Sequence, residues 1–205
     1  MILHPVQKLL IVLVALLLPM STWAIGSPST SFFMKGLYHP MMVPAHLIAL
    51  FALGLLSGQQ GWKTIRLVLP TFIAVLIASL IMTRYHSPSW NAEWVLLLLV
   101  AVTSILIVFK LEMATIVLLV IACLAAVAIG MDSAVPRIPG LQPSKIYAHL
   151  AGSGVFSSLL LFIISLIALT FRNVLDGVIL RILGAWSAAG AVLIVTLLVV
   201  NQSNP

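Results

Sequence analysis

Four carboxylates, five histidines and a single cysteine carry nearly all the acid–base and metal-ligating capacity of this 205-residue chain. The carboxylates Glu93, Glu112, Asp132 and Asp176 fall at the ends of apolar runs or between them, so no charged side chain is expected near a bilayer midplane, where ionisable groups mark ion routes. Cys123 stands alone within an apolar run, which rules out an intrachain disulfide or a thiolate cage and leaves it a small packing residue. The densest grouping of donor side chains is Tyr38-His-Pro-Met-Met-Val-Pro-Ala-His46. Seven residues along a straight helix return a side chain to the same face but roughly 10 Å further along the axis. At that separation His39 and His46 cannot share an ion. Pro44 lies between them and can open the turn, as in the broken helices that build transporter sites. Met41 and Met42 add thioether sulfurs of the kind that suit a soft ion such as Cu(I). The plainer reading is a membrane-edge histidine bonded to a carbonyl, beside methionines that only pack. Enzyme chemistry has little to draw on: there is no phosphate-binding loop, no activated nucleophile and no carboxylate pair in a plausible site.

The elements that must position these residues follow from composition. Hydrophobic residues make up 62% of the chain and charged residues 7%, against about 25% charged in a soluble domain. Such a chain cannot cover its surface against water. The ten Lys and Arg residues are spread singly between apolar runs, as membrane-flanking residues are, so the net charge of +6 does not indicate a nucleic-acid partner. Backbone groups cannot stay unpaired in lipid, and no period-2 alternation supports a barrel. The expected fold is therefore all-α, a polytopic membrane helix bundle with the lipid bilayer as its main partner. Residues 1–24 have the basic start, short apolar core and small terminal residue of a secretory signal peptide, with Thr22 and Ala24 before the cut; the alternative is an uncleaved first helix, which would make seven spans. Residues 25–205 then form a single domain with six spans at about 40–56, 67–83, 94–109, 113–130, 149–170 and 178–200. This start places Lys63, Arg66, Lys110, Arg172 and Arg181 inside, and Lys35, Arg84, Arg137 and Lys145 outside with the 131–144 loop. In the last span Gly184, Ala185, Ser187, Ala188, Ala189 and Ala191 form small-xxx-small pairs, and Ala148 and Gly152 repeat the spacing. Trp62, Trp90 and Trp94 fall at span edges, where indoles prefer the interface.

Residues 33–62, reading FMKGLYHPMMVPAHLIALFALGLLSGQQGW, resemble the HupE/UreJ family of hydrogenase and urease accessory membrane proteins. That family's motif is a histidine, five residues, Asp-His and an apolar run ending Gly-Leu; here His39, His46 and Gly54-Leu55 match, while Ala45 replaces the aspartate. The family's second motif, Phe-His-Gly-x-Ala-His-Gly-x-Glu, is matched best by Leu124-Ala-Ala-Val-Ala-Ile-Gly-Met-Asp132, with Ala125 and Ile129 at the histidine positions and Asp132 at the glutamate. Glu93 ahead of the fourth span and the run Leu180–Gly190 extend the resemblance along the chain. It implies a bacterial inner-membrane permease for nickel or cobalt, with a signal peptide, about six helices and no resident cofactor. On this reading the metal ligands are His39, His46, Met42 and Asp132, for nickel, cobalt or a softer ion. The alternative is a non-transporting membrane subunit or assembly factor, acting with a partner membrane protein or as a homo-oligomer, that keeps the fold and has lost most ligands.

Overall fold

The computed structural model describes residues 28–83, 92–134 and 142–203; the expected signal peptide, Arg84, Trp90 and Arg137 lie outside them. The described residues form seven α-helices and no strand: α1 (Pro28–Met42), α2 (Pro44–Gln60), α3 (Trp62–Met82), α4 (Ala92–Val108), α5 (Thr115–Asp132), α6 (Pro143–Phe171) and α7 (Val178–Ser203), with a 3₁₀ turn at Val174–Gly177 before α7. The chain is a helical membrane bundle. Helices α3, α5, α6 and α7 are each long and apolar enough to cross a bilayer, and the bent pair α1 and α2 adds a fifth candidate span. The segment expected as a span over 94–109 is the 17-residue α4, about 25 Å at 1.5 Å per residue, which is shorter than a hydrocarbon core of ~30 Å.

Helix α2 is the axis of the bundle. It packs against α6, α4 and α7, with further contacts to α1, α3 and α5. From Ala52 to Gly58 every side chain is buried, as expected for a helix that is apolar all round. The outer helices instead leave large side chains exposed, among them Leu98, Ile116, Trp186 and Val192. Soluble monomers rarely expose contiguous apolar patches of more than a few hundred Å², so these faces belong against lipid. Lipid removes the hydrophobic force between helices, and association rests on close packing at small residues. Gly54 and Gly58 supply that contact on α2: a side chain at Gly54 would stand 2.7 Å from Ile164 Cγ2, and one at Gly58 would collide with Ala168 and the Ser165 carbonyl. Gly184 of α7 rests on Ile107 of α4 in the same way, since a Cβ at Gly184 would stand 2.7 Å from Ile107 Cγ2. Of the expected small faces on α7, Gly184, Ser187 and Ala191 turn inward, whereas Ala185 and Ala189 are exposed.

At one end of the bundle the connections are bonded to each other. Gln59 Nε2 donates to the Ile107 carbonyl at 3.1 Å and Gln60 Nε2 to the Leu111 carbonyl at 2.7 Å. Lys110 Nζ donates to the Asp176 carbonyl at 3.3 Å, and Arg181 Nε to the Val108 carbonyl at 2.8 Å. Gly61, the sole residue between α2 and α3, has φ +108°, a conformation that a side chain would strain, and the Arg172 guanidinium sits against it. These bonds gather the α2–α3, α4–α5 and α6–α7 connections, with Lys63, Lys110, Arg172 and Arg181, at a common end.

Candidate metal centre

The opposite end holds His39 and His46, and a helix break brings them together. The segment expected as a continuous span over 40–56 is two helices, α1 and α2, meeting at Val43 with a bend of 74°. The cause is local. Pro44 is the first residue of α2 and has no N–H to continue α1, and the residue before a proline is pushed to extended backbone, here φ −101° and ψ 102° at Val43. The α2 helix restarts at once, with His46 N and Leu47 N donating to the Val43 carbonyl at 3.0 and 3.3 Å. The bend folds His39 back over the first turn of α2, and the His39 and His46 ring centres stand 5.8 Å apart. On a straight helix they would be separated by roughly 10 Å of rise.

Two more groups join them. Asp132, the last residue of α5, places Oδ2 2.9 Å from His46 Nε2. His149, in the second turn of α6, lies 5.6 Å from His39, ring centre to ring centre, with the planes at 81°. A glycine crossing sets that second approach: a side chain at Gly36 would collide with the His149 carbonyl, and one at Gly152 with the Phe33 carbonyl. The backbones of α1 and α6 therefore touch one helical turn from both imidazoles. The Ala148 and Gly152 pair singled out by its spacing thus lies at this crossing, with Gly152 making the contact.

His46 is fully buried, and neither of its ring nitrogens makes an aligned hydrogen bond; Asp132 approaches Nε2 closely but off the N–H direction. His39 Nδ1 is buried and likewise lacks a partner. Buried polar atoms are nearly always bonded, and exceptions call for a water, an ion or a functional role. One spacing matches an ion. Two donor atoms each about 2.0–2.1 Å from one metal, at an angle of roughly 90–110°, stand about 2.9–3.4 Å apart. The off-axis contact between His46 Nε2 and Asp132 Oδ2 has that length. A ring centre lies about 3.2 Å from a metal bound at its nitrogen, so two imidazoles on one ion at 90–110° have centres roughly 4.5–5.3 Å apart; the histidine pairs, at 5.8 and 5.6 Å, stand wider and correspond to roughly 120–130°. Asp132 also sits at the negative end of the α5 dipole, where a carboxylate is disfavoured unless a cation is near. Among the described residues, no three His, Cys, Asp or Glu side chains converge on one point as a closed cage would require.

The structure therefore brings together three of the four expected ligands, His39, His46 and Asp132. The fourth, Met42, is 76% exposed, and Met41 also faces outward. Ala45, at the aspartate position, is packed into the core. Ala125 and Ile129, at the second motif's histidine positions, are core residues too. His149 is the group that sequence reasoning missed. Its available signal was an ionisable residue next to a small-xxx-small pair at the start of an apolar run.

A family model described as HupE / UreJ protein matches residues 12–194. The chain belongs to the HupE/UreJ family. The match takes in all of α1 to α6 and most of α7, so the HupE/UreJ assignment covers every residue of the histidine end described above. No curated protein and no solved structure matches the chain.

Proposed function

We propose that this HupE/UreJ protein is a permease for a transition-metal dication, nickel or cobalt, which it binds at the histidine end of the bundle through His39, His46 and Asp132. The observation that carries the reading is His46: a fully buried imidazole with no aligned hydrogen bond at either nitrogen, a carboxylate 2.9 Å away and a second unpartnered imidazole nitrogen on the neighbouring ring. Imidazole and carboxylate suit nickel and cobalt, and the outward-facing Met41 and Met42 leave no thioether in the set to favour Cu(I). The site lies at the end away from Lys63, Lys110, Arg172 and Arg181, which fits a cytoplasmic location for those residues and an external mouth for the histidines. The absence of three converging ligands among the described residues speaks for the competing reading, a non-transporting membrane subunit.

Uptake of radioactive nickel and cobalt by cells separates the two. Expression of the wild-type protein should raise accumulation, and His46→Ala and Asp132→Asn should each abolish the increase at equal protein level. Wild-type cells that accumulate no more of either metal than cells lacking the protein would sink the permease reading.

A further inference from the structure

A site that only bound a metal would need no third imidazole outside its ligand group. His149 is on α6, in neither family motif, yet its ring is as close to His39 as His46 is, at 5.6 Å against 5.8 Å. We propose that His149 is the outer station of a histidine relay, in which the cation is held first between His149 and His39 and then between His39 and the His46–Asp132 pair. This rests on the metal reading above and adds to it a route and a direction.

Three observations carry it. His39 is adjacent to each of the other two rings, so one imidazole can belong to two successive ion positions. Burial deepens across the series, from half-buried His149 and His39 to fully buried His46. Charge differs across it too. The one carboxylate in contact with these histidines among the described residues is Asp132, beside His46, and Lys35 acts electrostatically on His149 at the outer end. A dication is therefore repelled at the outer pair and attracted at the inner one, so the outer pair holds it only briefly before it passes inward. A relay does not need a three-ligand cage, since an ion that must leave has to be held weakly at several sites in turn. Each transfer exchanges one imidazole or water ligand for another, with no change in the metal's oxidation state. Gly36 and Gly152 belong to the same device: they press α1 on α6, which sets the distance between the first two rings. The imidazoles that the second family motif would place at Ala125 and Ile129 are replaced by core packing, and α6 supplies the third imidazole instead.

The test uses the full-length protein in lipid nanodiscs with Co²⁺ as the probe, following its ligand-field absorption by stopped flow and at equilibrium. Removing the outer station should slow loading while sparing the inner position. His149→Ala should cut the bimolecular loading rate at least about tenfold and change the equilibrium Kd by less than about threefold. His46→Ala should abolish the equilibrium signal. His149→Gln, which keeps the packing volume, should behave like His149→Ala and covers the case in which the alanine variant does not fold. Unchanged loading in both His149 variants overturns the relay and leaves the metal reading intact. Loss of equilibrium binding in His149→Gln as complete as in His46→Ala also overturns it, because the three rings would then form a single site. A wild-type protein that takes up no Co²⁺ overturns the metal reading and the relay together.

Discussion

At the scale of single residues, Ala45 offers a test of the proposed site's pull on a dication. It lies beside His46 at the position where the family motif has an aspartate, and it is 2% exposed. A carboxylate restored there would be buried in the core, next in sequence to the fully buried His46. An uncompensated buried charge costs several kcal/mol, and a bound cation offsets that cost. Ala45→Asp should therefore lower Tm in the absence of metal, and saturating nickel should raise Tm far more in the variant than in the wild type, because a ligand that binds only the native state stabilises it in proportion to its affinity. Thermal unfolding in detergent with and without nickel checks this. A variant whose Tm does not respond to nickel would show that position 45 faces away from the ion.

At the scale of helices, close packing at small residues should dominate stability. Gly184→Leu forces a branched side chain into Ile107, and overpacking of this kind typically costs about 1–3 kcal/mol. The thermal midpoint should fall clearly, while Ala189→Leu, on the exposed face of the same helix, should leave it unchanged. Equal effects of the two variants would mean that α7 is not held by this contact. The same scale shows what was legible in the sequence. Apolar runs between isolated charges located α3 to α7, because a span must be apolar whatever it packs against. The extra length of α6 was not legible in hydropathy: its first turns, from Pro143, hold Lys145 and Tyr147, which suit a membrane interface and interrupt an apolar run. Helix α1 was missed for a related reason, since Lys35, His39 and Pro40 give it the look of a connection. Its docking on α6 depends on Gly36 and Gly152, and a glycine spacing shows that a close approach is available but not which helix fills it. His39 and His46 were found by their spacing around Pro44, whereas the Asp132 and His149 partnerships are tertiary and needed the fold.

At the scale of the whole molecule, the two ends of the bundle present different contacts among the described residues. One has side chains bonded across the helix connections, through Gln59, Gln60, Lys110 and Arg181. At the other, the cross-helix contacts among the described residues include the His46–Asp132 pair, the Ser133–Ser153 hydroxyl contact at 3.1 Å and the glycine crossing of α1 on α6. The bonded connections have a mechanical consequence. A bundle whose connections are tied to each other at one end, and whose α1 breaks from α2 at Pro44 at the other, resembles a pair of tongs: thermal motion spreads the jaws and leaves the pivot in place. Amide exchange should record it, with backbone protection persisting longest around the 58–65 and 105–113 segments and fading first in α1 and the opening turns of α6. Adding nickel should slow exchange at the jaws and leave the pivot as it was.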